Sequence, residues 1–130
     1  MRALRQTAPH ASSEALRKLH APGQKERTLM LYFDWDPAKD EENRRKHRIG
    51  FSAASVALED PNAIEELDSI VDGEVRLRTT GMAAGEVIVL VTHTNTFLNE
   101  EDELARIISA RKASPGERKA YEDQRAQNSR

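Results

Sequence analysis

The segment Glu86–Thr94 constrains the fold more than any other part of the chain. It holds an unbroken apolar run, Val87–Val91, which is strand-sized, and a strand without polar alternation must be covered on both faces. The chain therefore needs a sheet with this segment at its centre. Candidate neighbours are visible. In Leu29–Trp35, the residues Leu29, Leu31, Phe33 and Trp35 fall on one face, as in a half-buried strand. In Glu74–Thr80, Val75, Leu77 and Thr79 face one way and Arg76, Arg78 and Thr80 the other. The turn-like stretch Gly81–Gly85 joins that strand to the central one as a hairpin. Leu104–Lys112 is the last strand.

Helix signals fill the rest. Asp36-Pro37 is an N-cap carboxylate followed by proline at the first helical position. That helix runs to about His47 and ends at Gly50. It has no large apolar residue between Pro37 and Arg48, so its packing rests on aliphatic stems or is slight. Phe51-Ser52 opens a second helix, with Ser52 as cap and Phe51 stapled onto Val56, stopping before Pro61. The acidic stretch Glu59–Glu74 reads as a loop or irregular strand. Ser114-Pro115-Gly116-Glu117 is a capping box that starts a C-terminal helix, frayed after about residue 124. The order is β-α-α-β-β-β-α. This is an α+β fold: a small, mainly antiparallel sheet with helices packed on a face.

A chain of 130 residues, 38% hydrophobic and 32% charged, supports one domain with a modest core. We place it at residues 29–130 and read residues 1–28 as a flexible N-terminal extension, because they are small, polar and basic. With no cysteine, disulfides and thiolate chemistry are excluded. No apolar run approaches a membrane span, and no secretory signal is visible, so a cytoplasmic location is expected. The net charge is −2 but segregated. Glu59–Glu74 has seven acids and no Lys or Arg, whereas Arg106–Tyr121 has five basic residues and one acid. A local basic surface can hold phosphate on an acidic protein.

Familiar sites are absent. His10, His20, His47 and His93 have no metal-ligand spacing to one another, and there is no glycine-rich phosphate loop. Asp34 and Asp36 are two apart, and Asp36 is explained as a cap. The remaining inventory is cationic: Arg76 and Arg78 on one strand face, His93 at the end of the central strand, and Arg106, Arg111 and Lys112 on the last strand. Arg118 and Tyr121 lie one turn apart on the last helix. Strict alternation sets Arg106 and Arg111 on opposite faces; a bulge near Ser109 or Ala110 brings both to one face. Glu103 is an alternative, structural partner for Arg106.

These segments resemble a known family. Tyr32-Phe33-Asp34-Trp35-Asp36-Pro37-Ala38-Lys39 is similar to the opening of BrnT toxins. Asn43, Lys46, His47, Phe51-Ser52, Asp60-Pro61, Arg76, Gly81 and Val89–Thr94 continue the match in order. The most specific block is Arg106–Ala113, followed by Glu117-Arg118 and Tyr121. The chain departs from the family pattern at Arg44, at Arg78 and in the position of Gly50 after His47. The resemblance implies a RelE-like fold and the toxin half of a type II toxin-antitoxin pair. It also implies metal-independent endoribonuclease activity, no cofactor, and a BrnA-like antitoxin that binds operator DNA. The alternative is a degenerate toxin-like protein that retains antitoxin binding but not cleavage.

Metal-free RNA cleavage by the ribose 2′-OH needs proton transfer and cations for the charge developing on phosphorus. Arg106 and Arg111 are the expected phosphate contacts, with Arg76 assisting and His93 transferring a proton. Lys46, His47, Lys112, Arg118 and Tyr121 are expected to bind RNA. For His93 the alternative is a histidine that only packs or hydrogen-bonds. For Lys46 and His47 it is a solvated helix end. The antitoxin is expected to cover Arg106–Tyr121.

Overall fold

The computed structural model describes residues 3–5 and 30–129. Among the described residues nine elements follow in order: β1 (Ala3–Arg5), β2 (Met30–Trp35), α1 (Pro37–His47), α2 (Phe51–Ala57), β3 (Ile64–Val71), β4 (Glu74–Ala83), β5 (Val87–Phe97), β6 (Asp102–Lys112) and α3 (Pro115–Asn128). The strands form one sheet in the order β1-β2-β6-β5-β4-β3. Only β2 and β6 run parallel. The α+β class and the mainly antiparallel sheet are as expected, with β5 inside the sheet.

Two strands had no place in the expected order. The acidic stretch forms β3, an edge strand antiparallel to β4 with a bulge between Leu67 and Ser69. Ala3–Arg5 pairs with the outer edge of β2. The flexibility expected for the remainder of residues 1–28 falls outside the described residues. α3 stays helical to Asn128, beyond the expected fraying point.

Leu31, Phe33 and Trp35 of β2, Val89 and Val91 of β5, and Ala105, Ile107 and Ala110 of β6 point to one face. There they pack with Phe51, Ala54 and Ala57 of α2. Trp35 meets Phe51 edge to face at 6.2 Å. Gly81 is not a turn residue but part of β4: a Cβ there would stand 2.6 Å from the Ala57 carbonyl oxygen, so α2 sits directly on the strand. The turn into β5 uses Gly85 and Glu86, both at positive φ.

The polar helix α1 is fastened by one buried side chain. Asn43 Nδ2 donates to the carbonyls of Ile49 (2.9 Å) and Ala110 (2.7 Å), and its Oδ1 accepts from the Ala110 N–H (3.2 Å). Asp36 caps α1 through the Ala38 N–H, as expected. Its end differs: Arg48, not Gly50, takes the left-handed conformation, at φ 62°. Gly50 instead precedes α2. No side chain caps α2 from that position; the Phe51 N–H donates to Asp40 Oδ1 at 2.8 Å. Phe51 is buried and Val56 is exposed, so the expected staple does not form.

Candidate functional site

The sheet face turned away from α1 and α2 carries Asp34 of β2, Arg76 and Arg78 of β4, Thr92 and Thr94 of β5, and Arg106 and Arg111 of β6. α3 crosses one end of it. Leu90 and Thr80 point to this face and are buried there. The Tyr121 hydroxyl donates to Asp60 Oδ2 at 2.6 Å, which ties the helix to the segment before β3. The capping box of Ser114 and Glu117 is present as expected. Among the described residues, no helix crosses the other end.

A bulge decides what this face holds. In the β5–β6 pairing, Thr92 lies opposite Ser109 but His93 lies opposite Ile107, so Ile108 is the extra residue. The bulge falls next to the expected position and has the expected effect. Ile107 and Ala110 both remain in the core, and Arg106 and Arg111 both face the other way.

The two arginines differ in their partners. Arg111 is spent. Its Nη1 and Nη2 donate to the two oxygens of Glu117 at 2.9 and 3.0 Å, and Nη1 also reaches the Lys112 carbonyl. The guanidinium and the Ser114 N–H hold the Glu117 carboxyl down to about 2. The pair clasps the corner between β6 and α3. Arg106 makes one bond, from Nη1 to Asp34 Oδ2 at 2.9 Å, and among the described residues its other nitrogens are unengaged. Asp34 lies opposite Arg106 on the parallel neighbour β2 and is buried. The expected alternative partner, Glu103, points to the helix-covered side.

Arg106 is part of a row. It lies opposite Thr94 of β5. Continuing the β4–β5 register one step past Leu77 and His93 sets Arg76 on the far side of Thr94. Arg76 and Arg106 are thus two strands apart, about 10 Å between Cα atoms at ordinary strand spacing. The Arg76 Nε is buried without a hydrogen bond, and Glu74 Oε1 stands 3.9 Å from it. Thr94 between them is buried. The next row holds Arg78, Thr92 and Ser109, with Arg78 Nε on Glu66 at 3.3 Å.

The other expected site residues lie elsewhere. His93 is on the core face, 2% exposed. Its Nε2 meets Thr79 Oγ1 at 2.8 Å and its Nδ1 meets Asn95 Oδ1 at 2.6 Å; Asn95 Nδ2 donates to Glu103 at 3.1 Å. Because Asn95 presents an oxygen, the proton sits on Nδ1, and Nε2 accepts from the threonine. Burial pushes the ring down to about 4, so it is neutral near pH 7. Burial also raises the Glu103 carboxyl. Lys46 and His47 are exposed at the end of α1, the helix on the other side of the sheet. Lys112 and Arg118 are exposed at the β6–α3 corner. Tyr121 is buried, and burial together with Asp60 raises its hydroxyl pKa. Sequence reading missed the Asp34–Arg106 pair and the Arg111–Glu117 clasp. A parallel pairing of β2 with β6 leaves no local signal for the first. For the second, the six-residue spacing across a known capping box was the available clue.

A row of arginines on one sheet face is a surface that can hold phosphate. Residues 35–117 match the family described as the ribonuclease toxin BrnT of type II toxin-antitoxin systems. The chain belongs to that family. The crystal structure of the Brucella abortus ribonuclease toxin BrnT is 27% identical over 62% of this chain and 92% of that one, with a TM-score of 0.44. No curated protein matches. Family membership implies an RNA target and a protein antitoxin. Among the described residues, no helix is long and apolar enough to cross a membrane.

Proposed function

We propose that this chain is a metal-independent endoribonuclease that cuts RNA on the open face of its sheet, with Arg106 and Arg76 as the phosphate contacts. The reading rests on one observation: Arg106 keeps guanidinium donors that no described residue uses, on the sheet face it shares with Arg76. The ribose 2′-OH attacks the adjacent phosphorus. The 2′-OH proton passes to water, the P–O5′ bond breaks and the 5′-oxygen takes a proton from water, so the product ends are a 2′,3′-cyclic phosphate and a 5′-hydroxyl. Arginine suits the negative charge that builds on the phosphoryl oxygens, because its planar fork presents two parallel donors. Asp34 engages one corner of the Arg106 fork and limits its rotation. Arg111 serves the corner with Glu117, and His93, neutral and on the opposite face, serves the core. The partner is an antitoxin of the BrnA kind that also binds operator DNA, and the site of action is the cytoplasm.

The test is purified protein with a mixed RNA in excess chelator, with product ends identified by their chemistry. Cleavage with cyclic-phosphate ends is the expected result. An intact RNA alongside a protein that still binds its antitoxin refutes the activity and leaves a degenerate, non-catalytic toxin.

A further inference from the structure

The helix layer stops short of the sheet. α2 covers β4 where Gly81 and Ala83 lie, and the core strands behind it. At the other end, the same face of β3 and β4 is bare. Leu67 lies opposite Leu77, and Ile70 opposite Val75. Leu67 is 58% exposed, Ile70 62% and Val75 49%. This strip is bounded by acids on two sides. The β3–β4 turn and the β5–β6 turn lie at the same end of the sheet and contribute Asp68, Asp72 and Glu74 from one and Glu101 and Asp102 from the other. Neither residues 59–75 nor residues 95–105 contain a Lys or Arg.

Three occupants are conceivable, and strand register and charge separate them. An added strand along the free edge of β3 is disfavoured, because the bulge at Asp68 interrupts the ladder an incoming strand would follow. A second copy would bring two acidic rims together, and like charges juxtaposed across an interface oppose association. A cationic amphipathic helix meets both requirements: its apolar stripe lies on Leu67, Ile70 and Val75, and its basic flanks meet the acids. We infer that the bare end of the helix-side face is the docking surface for a basic amphipathic helix of the antitoxin. The inference rests on the toxin-antitoxin reading above. It moves the partner's footprint from Arg106–Tyr121, where the sequence pointed, to the side of the sheet away from Arg106. In that other region Arg111 and Tyr121 are already engaged internally.

Two variants of the full chain test it: Leu67→Ser with Ile70→Ser, and Asp68→Lys with Glu101→Lys. All four positions are exposed. The probe is the purified antitoxin encoded beside this chain, titrated at low and high salt, with thermal melts and RNA cleavage of the free variants in parallel. Each variant is expected to bind about tenfold more weakly or worse. The apolar pair should do so at both salts. The charge pair should act mainly at low salt, through slower association. Wild-type affinity in both folded variants overturns the inference. So does a free protein that is dimeric in the wild type and monomeric after Leu67→Ser with Ile70→Ser, with antitoxin affinity unchanged, because the strip then belongs to a second copy. If the variants lose the antitoxin but the wild type cuts no RNA, the nuclease reading fails and the docking surface stands.

Discussion

Arg106 and Arg111 share a face and a chemistry but not a role, and substitution separates them. Arg106→Ala removes the donors proposed for phosphate, a loss of about 10²–10³ in rate, as for one preorganised donor to a developing anion. It also takes an ion-pair partner from Asp34, whose side chain is 5% exposed against 32% for Arg106. Breaking a fully buried pair costs about 3–5 kcal/mol; water entering where the arginine stood reduces this to about 1–3 kcal/mol. Activity and stability thus fall together, and a second variant is needed. Arg106→Lys keeps a cation for Asp34 and loses the fork, so it should melt within about 1 kcal/mol of wild type yet cut RNA about tenfold or more slowly. Arg111→Ala breaks a pair whose side chains are 42% and 28% exposed. Screened by solvent, that pair contributes about 1 kcal/mol or less. The variant should remain folded and cut RNA within about threefold of wild type, since it removes no substrate donor on this reading. Single-turnover cleavage in chelator and urea denaturation on the same preparations supply both numbers. Wild-type cleavage by Arg106→Lys would refute the assignment, and so would a folded Arg111→Ala protein that no longer cuts.

Asn43→Ala leaves the Ala110 N–H and the carbonyls of Ala110 and Ile49 without their partner in a buried site. Orphaned groups of this kind cost about 1–3 kcal/mol each and are not additive, so a loss of about 3–5 kcal/mol is expected. A loss of less than about 1 kcal/mol by urea denaturation would show that water fills the site. His93 titrates at about 4 when folded against 6.5 in the open chain. Its lowered value means that its stabilising contribution is complete above pH 6.5 and is lost as the pH falls through about 4, a total of roughly 3 kcal/mol. Glu103, raised by burial, acts in the opposite sense. The comparison is therefore with His93→Gln, whose stability should fall less between pH 7 and 4; parallel curves would refute the buried neutral ring.

Local chemistry was legible wherever a few adjacent residues determine it. Asp36-Pro37 starts α1 and Ser114–Glu117 caps α3 because a carboxylate or hydroxyl meets backbone N–H groups two or three residues on. The alternation in β2 and β4 and the apolar run in β5 declare their faces through the period of a strand. The block Arg106–Ala113 carried the family. Tertiary structure decided the rest. The acidic stretch reads as a loop or irregular strand from sequence, and pairing with β4 makes it the edge strand β3. The polar α1 packs through Asn43, whose partners on Ala110 lie 67 residues away. Sequence offers a bulge only as a condition for turning Arg106 and Arg111 to one face, and the pairing of β5 with β6 places it at Ile108. Asp34 and Glu117 then set them apart, since a carboxylate 72 residues distant holds one corner of the first guanidinium while a near neighbour takes both ends of the second. Residue type and local order are written along the chain, but which donors remain for a ligand depends on what the fold brings beside them.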